Sequence, residues 1–514
     1  MKRFILLLAT VLLCVRMIGE TLVPDSISNP IRTGFHPDPS ICRVGEDYYL
    51  VTSSFTWFPG IPVYHSRDLT NWSLIGHALT NPKAIDFSGM TDNDGIWAPT
   101  LRYHQGTFYL ITTAHGCGGN FYMTAKNPAG PWSDPVWLKD APGIDPSLFF
   151  DEDGRCYYTG NRWDFKSAWP AQCAVWMQEL DLQKGRLVGE RKTLAYGHAA
   201  NAKYAEGPHL YKIDDRYLLL MAEGGSDYNH AVIALTAKSL WGPYVPCTVN
   251  PVLTHRHLGK DYPVQSLGHA DLVQTPDGHW YALFLGKRVV EGGLVPLGRE
   301  TFLCAVDFQN GEPIFNPGAG VIGNRLKRPP LPWTPVSKAS KQNDFEGPAL
   351  SPEWVTMRIP EQPFHHFAGG GLSLSLRPEM ADSLVCPSML LHRVHSHNFS
   401  ATTTMSFTRR ANEWAGLVLY RTANGYYSLL KGKNEIRLTK VLLGQKTVIA
   451  TLPWKEKSVV LRMVAKGATL RFYAGLSNDT FHQVGEIQSV DAVSDNKVNR
   501  FNGTGVGIYA TSYA

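Results

Sequence analysis

One phrase returns five times along the chain, and it limits the fold more than any other feature. A tight turn leads into an aromatic strand in GEDYYLVTSS around Tyr48, GTFYLITTA around Phe108, GRCYYTGN around Tyr157, DRYLLLMAEG around Tyr217 and GHWYALFLG around Trp280. The five aromatics are spaced by 60, 49, 60 and 63 residues. Each unit continues with another strand-like run: IPVYHSRDL, FYMTAKNP, AVWMQELDL, HAVIALTAK and LCAVDF. Trp72, Trp132 and Trp241 follow in three of them. Helical periodicity is hardly visible, and Gly and Pro turns punctuate the chain throughout. Repeats of roughly 50 residues with several strands apiece are the mark of propeller blades. A β-helix would repeat at a much shorter period, and a sandwich would not return to one phrase. The chain is therefore expected to be all-β, with a five-bladed β-propeller over residues 28–325.

A Pro-rich stretch follows at 326–341, containing Pro329, Pro330, Pro332 and Pro335, and such a stiff segment marks a boundary. Beyond it, LSLSL at Leu372–Leu376 alternates strictly, and TTTMSF, GLVLYR, SVVLRMVA and TLRFYAG have strand composition. Asn424-Gly425 suits a hairpin turn. Short strands without a repeat predict a β-sandwich over residues 342–514. The short linker favours a sandwich docked on the propeller over a free carbohydrate-binding module. Two domains also suit a chain of 514 residues with 44% hydrophobic and 18% charged content.

At the N-terminus Lys2 and Arg3 precede an apolar run from Phe4 to Val15, too short for a membrane span. Residues 1–19 read as a signal peptide, so the mature protein is expected in the periplasm or outside the cell. Leu13 is larger than the residue a lipid-attachment signal takes, which favours ordinary cleavage over a lipid anchor at Cys14. No later stretch reads as a transmembrane segment. The 8 Cys are scattered without a CxxC pair, so buried free thiols are expected, with one or two disulfides as the alternative. A net charge of +5 without basic runs gives no case for nucleic acid.

Counting back from each repeated aromatic finds the chemistry. Inner strands of a propeller run in one direction, so equivalent positions converge at one end of the channel. Asp38 in HPDPS lies 10 residues before Tyr48, Trp97 in GIWAP 11 before Phe108, and Asp145 in GIDPS 12 before Tyr157. Glu206 in AEGPH lies 11 before Tyr217, and His269 in GHADL 11 before Trp280. Three carboxylates, a tryptophan and a histidine should therefore share one mouth. Carboxylates held together raise one another's pKa, and a fold keeps them together where something binds. Cleavage of a glycosidic bond needs one protonated carboxyl and one carboxylate, and a third can tune the acid. Taken singly, each Asp-Pro-Ser is a common turn, His269 a core histidine and Trp97 simple packing. The repetition of Asp-Pro-Ser at matched blade positions changes the odds for the acids, while the bland readings of His269 and Trp97 stay open. GxGxxG at Gly318–Gly323 runs into prolines and is rejected, and Asp92 and Asp94 are too sparse for an EF-hand.

The opening NPIRTGFHPDPSICRVGEDYYLVTSSFTWFPGIPVYHSRDLTNW resembles that of family 43 glycoside hydrolases, in the β-xylosidase and α-L-arabinofuranosidase branch. GIWAPTLRYH, GIDPSLFFDEDG, AEGPHLYK, GHADLVQTPDG and LGRET match later motifs in order, and NDFEGPALSPEW resembles the start of that branch's C-terminal sandwich. The resemblance implies an inverting exo-hydrolase that releases pentose from xylo- or arabino-oligosaccharides. Asp38 would be the general base, Glu206 the general acid and Asp145 the modulator of its pKa. Base and acid would stand about 6.5–9.5 Å apart to admit water. Phe35, Trp57 and Trp97 become candidate pocket walls, and Arg299 a candidate sugar ligand whose alternative is a surface salt bridge. Phe501, in RFNGTGVGIYA, is either an aromatic pushed into the pocket by the sandwich or plain strand packing. No cofactor is required. His269 matches an axial histidine that faces a channel calcium in relatives, although one imidazole is a poor calcium site because calcium prefers oxygen.

Two other readings stand beside this one. A sugar-binding propeller without catalysis would bind and release no product. A hydrolase of another glycan, such as arabinan or fructan, is the other, and a fructan-cleaving propeller would retain the anomer.

Overall fold

The computed structural model describes residues 23–163, 166–336, 345, 347, 349–406, 410–498 and 501–512. The expected signal peptide at 1–19, Cys14, the end of the Pro-rich linker at 337–341 and residues 342–344 lie outside the described residues. Among the described residues no helix is long and apolar enough to cross a membrane.

The expected propeller is present. Its described residues form five four-stranded antiparallel sheets, each a simple meander. Their first strands are β1 (Ser40–Val44), β2 (Gly95–His104), β3 (Ile144–Phe150), β4 (Glu206–Ile213) and β5 (Val264–Gln274). These five adjoin one another in a ring, β5 closing on β1. The repeated aromatics all fall on the second strand of their sheets. They go where two sheets face each other. Tyr49 and Phe108 meet edge to face at 5.1 Å between the first two sheets, and Phe149 and Tyr217 at 6.1 Å between the third and fourth. Five apolar clusters result, one between each neighbouring pair of sheets. The fifth joins Val273, Tyr281 and Leu303 to Ile41, Tyr48 and Tyr64, so the ring is packed all the way round. Repetition in sequence follows from this geometry, since each sheet must offer the same two apolar faces. The chain ends are tied as well. Ser26–Ser28 pairs with Arg325–Lys327, and the Asn29 side chain exchanges hydrogen bonds of 2.9 and 3.1 Å with the Leu303 backbone.

At one matched level, on each inner strand or just ahead of it, stands a left-handed residue. These are Asp38, Ala98, Asp145, Gly207 and His269, with φ of 53°, 43°, 53°, 57° and 51°. The ladder slips there in β2, β3, β4 and β5. A slip of this kind re-aims the side chains beside it. It also corrects the alignment drawn from the sequence. Trp97 and Glu206 are not the equivalents of Asp38, Asp145 and His269. Ala98 and Gly207 are, and Trp97 and Glu206 sit one residue earlier. A fixed count from the aromatic fails because the hairpin between the first two strands differs in length from sheet to sheet.

The second domain is a sandwich of a six-stranded and a five-stranded sheet. Leu417, Leu419, Tyr427, Leu429 and Leu438 of the first meet Val459, Leu461, Met463 and Phe472 of the second. Strand periodicity puts alternate residues on the opposite face. On the six-stranded sheet that face is apolar too: Val418, Tyr420, Tyr426 and Tyr509 pack against Phe35, Phe55 and Trp57 of the propeller. The sandwich is therefore docked, as the short linker suggested. Asp92 fastens it. Its carboxylate accepts from Arg358 Nη2 at 3.1 Å and from the Ala423 N–H at 2.7 Å, and its carbonyl accepts from Asn502 Nδ2 at 3.0 Å. Lys287 reaches Asp495 across the same interface at 2.6 Å. The seven described cysteines are all free, and six of them are buried.

Candidate active site

Three of these left-handed residues, Asp38, Asp145 and His269, line one pocket of about 410 Å³, joined by Trp97 and Glu206, which stand just before the other two. Asp38, Asp145, Glu206, His269, Arg299, Trp97 and Phe501 all line it. Phe501 comes from the sandwich. It stands 5.8 Å from the Trp97 ring, and its carbonyl accepts from Arg299 Nη2 at 2.9 Å. Of the two readings of Phe501, the structure favours the pocket. Trp97 is itself held flat against His115 at 3.9 Å and donates from Nε1 to the Asn93 carbonyl at 2.8 Å.

The three carboxyls differ in their surroundings. Asp38 has a donor on each oxygen: Arg299 Nη1 at 2.6 Å and Ser53 Oγ at 2.5 Å. Ser53 is fixed in turn by the Ala98 N–H at 2.7 Å. Asp145 accepts from the Gly207 N–H at 3.1 Å. Burial raises its pKa and the charge of Asp38 adds to this, while His269 pulls it down. Glu206 is pushed well above the usual carboxylate range, first by burial and then by the charges of Asp145 and Asp38, against a smaller pull from Arg299. The pocket thus pairs an ion-paired carboxylate with a carboxyl held in its protonated form, which is the division of labour that acid–base catalysis requires. Arg299 is no surface salt bridge, being 4% exposed.

Beneath the pocket, two residues further along each inner strand, stand Ser40, Thr100, Ser147, His209 and Asp271. Arg102 lies among them and grips Asp271 with both nitrogens, at 2.8 and 3.1 Å. Its Nη2 also donates to His209 Nδ1 at 2.9 Å. Ser40 Oγ donates to Asp271 at 2.6 Å. The channel therefore carries a built-in cation on the buried carboxylate of Asp271. His269 lies above, its ring 6.4 Å from that of His209. These residues do not fit calcium. The Asp271 carboxylate below His269 is already taken by Arg102, and an imidazole over that neutralised pair is a poor ligand for a hard cation. Among the described residues no cluster of three His, Cys, Asp or Glu is arranged to hold a metal. Dialysis against a chelator should leave hydrolysis unchanged; a loss that added calcium restores would place an ion on His269 after all.

Two expected walls are misplaced. Phe35 and Trp57 are fully buried behind the pocket, in the domain interface. Phe55 takes the place assigned to them, its ring 5.6 Å from Phe35 and 6.0 Å from Trp97. All three aromatics lie in the turns around the first sheet, and only tertiary packing decides which one faces inward. Ser226, His230 and Leu285 also line the pocket and were not anticipated.

Comparison with known proteins agrees with this geometry. The family described as "Glycosyl hydrolases family 43" matches residues 27–313, and "Beta xylosidase C-terminal Concanavalin A-like domain" matches 342–514. A xylosidase/arabinosidase of Butyrivibrio fibrisolvens is 39% identical, over 94% of this chain and 96% of its own length. A non-reducing end alpha-L-arabinofuranosidase of Bacteroides ovatus is 38% identical, over 98% of this chain and 95% of its own. The crystal structure of a xylan beta-1,4-xylosidase from Bacillus halodurans superposes with a TM-score of 0.89 at 35% identity, covering 95% of this chain and 97% of that one.

Proposed function

This chain belongs to glycosyl hydrolase family 43, and we propose that its pocket removes single pentose units, β-D-xylose or α-L-arabinofuranose, from the ends of hemicellulose oligosaccharides. The observation that carries this reading is the contrast between Asp38 and Glu206 in one small pocket. Asp38, bound by Arg299 and Ser53, keeps a free lone pair for a water molecule. That water attacks the anomeric carbon while its proton passes to Asp38. Glu206 gives its proton to the glycosidic oxygen as the C–O bond breaks, and the anomer inverts. Asp145 contributes the negative charge that keeps Glu206 protonated, and its own position is fixed by Gly207. Arg299 Nε is buried without a partner among the described residues and suits a sugar hydroxyl. Phe55, Trp97 and Phe501 offer flat apolar faces to the ring. Phe501 narrows the mouth, which supports action on chain ends. The leader-like N-terminus supports export of the enzyme.

Assay of 4-nitrophenyl β-xyloside beside 4-nitrophenyl α-L-arabinofuranoside tests the substrate. Turnover of at least one is expected, with the inverted anomer appearing first by NMR. Binding without turnover of either would support the non-catalytic reading, and a retained anomer would defeat the roles given to Asp38 and Glu206.

A further inference from the structure

His230 stands just before the strand Ala231–Ala237 and is 1% exposed. Its backbone is held at both ends: its N–H donates to the Asp227 carbonyl at 3.0 Å, and its carbonyl accepts from Thr254 Oγ1 at 2.9 Å. The ring is held as well. Nδ1 lies 3.1 Å from the Ser266 carbonyl. A carbonyl only accepts, so Nδ1 carries the proton. Burial first, and then the charges of His269, Lys287 and Arg299, lower the pKa of this histidine to about 3, against the pull of Ser266. The ring is therefore neutral, and Nε2 is a bare acceptor. That atom is buried and has no partner among the described residues. The neighbouring strand leaves room for the ring: a Cβ on Gly268 would lie 2.2–2.4 Å from its atoms.

A buried acceptor without a donor is an anomaly in a protein interior. Here it belongs to a side chain that lines the catalytic pocket. The neighbouring donors of this pocket are turned elsewhere: Arg299 Nη1 and Nη2 bind Asp38 and the Phe501 carbonyl, and the Gly207 N–H binds Asp145. A sugar ring brings the missing chemistry, because every hydroxyl is a donor. We propose that His230 accepts a hydrogen bond from one hydroxyl of the bound pentose through Nε2, and so selects glycosides that carry that hydroxyl. This rests on the hydrolase reading above. The tautomer matters: His230 rejects a sugar lacking the donor because its own acceptor is then stranded, which is how a polar site discriminates more sharply than an apolar one.

The test uses the better of the two nitrophenyl pentosides and its three monodeoxy analogues. Wild-type turnover of the parent compound tests the hydrolase reading by itself. His230→Phe keeps the bulk and removes the acceptor, and should lower kcat/KM on the parent by roughly 10- to 100-fold. On one deoxy analogue the same substitution should cost nearly nothing, while on the other two it costs as much as on the parent. Comparing variant with wild type on each compound cancels the intrinsic reactivity of deoxy sugars. An equal penalty on all four compounds means His230 only supports the fold, and overturns the proposal. His230→Gln, which restores an acceptor, should recover part of the loss on the parent; no recovery, together with equal penalties, overturns the proposal as well. Should neither variant fold, a wild type indifferent to the loss of every single hydroxyl would also overturn it.

Discussion

Replacing Glu206 by Gln should cut hydrolysis of a xylo- or arabino-disaccharide by about 10²- to 10⁴-fold, the usual reach of a positioned general acid. The loss should be smaller on nitrophenyl glycosides. Nitrophenolate leaves without a proton, so it needs Glu206 less than a sugar alkoxide does. Asp38→Asn should behave differently and lose a similar factor on both substrates, because water must be activated whatever the leaving group. Asp145→Asn completes the set. The Glu206 carboxyl is raised by burial and then by the charges of Asp145 and Asp38. Removing the Asp145 charge lowers its pKa. Glu206 works protonated, so activity would then fall at a lower pH than in the wild type, and the alkaline limb of the pH profile moves down. Steady-state rates across pH on the two substrate types check all three. Near-normal turnover by Glu206→Gln on the disaccharide, or an unmoved limb in Asp145→Asn, would contradict the assignments.

Asp92→Ala should destabilise the joined domains by about 3–5 kcal/mol, the usual cost of stranding one partner of a buried ion pair. Arg358 is 1% exposed and would lose its carboxylate, while Tyr420 and the Ala423 N–H would lose an acceptor. Activity should drop with stability, since loosening the segment around residue 92 also shifts its backbone carbonyl, which holds Asn502 beside Phe501 of the pocket. The double variant Asp92→Asn with Arg358→Met removes both charges and should recover much of the lost stability. Thermal unfolding and kcat/KM, measured on the same preparations, read the effect. Unchanged unfolding in Asp92→Ala would show that the interface does not depend on this pair.

Much of the fold and site was legible in the chain because the repeat and the site share a cause. Five sheets facing one another need the same aromatics at the same places, and a ring of parallel inner strands brings its matched residues to one mouth. Asp38, Asp145 and Glu206 could be found by counting for that reason. The count drifted between 10 and 12 residues because the hairpin between the first two strands is longer in the third and fifth sheets, and because Trp97 and Glu206 sit one residue before the true equivalents. Phe55 was missed and Phe35 and Trp57 wrongly chosen for a different reason. Three neighbouring aromatics carry no periodic signal about which one meets the pocket; all three pack in the cluster under the sandwich, and only Phe55 also reaches the pocket. Asp92 pointed to nothing on its own, since its partners Arg358 and Ala423 lie hundreds of residues away. His230 opens the run HAVIALTAK and belongs to no motif, and only the carbonyl at its Nδ1 gives the other nitrogen a meaning.

The six-stranded sheet of the sandwich is apolar on both sides, one for its sister sheet and one for the propeller. Such a unit is a poor candidate for exchange between genes. Grafted onto an unrelated enzyme, it would present Tyr420, Tyr426 and Tyr509 to a surface never shaped to receive them. Cut away, it would leave the propeller with Phe35 and Trp57 in water and a pocket missing one wall. The two halves of this enzyme are thus bound to change together, and a swap intended to alter specificity needs to carry both sides of that seam.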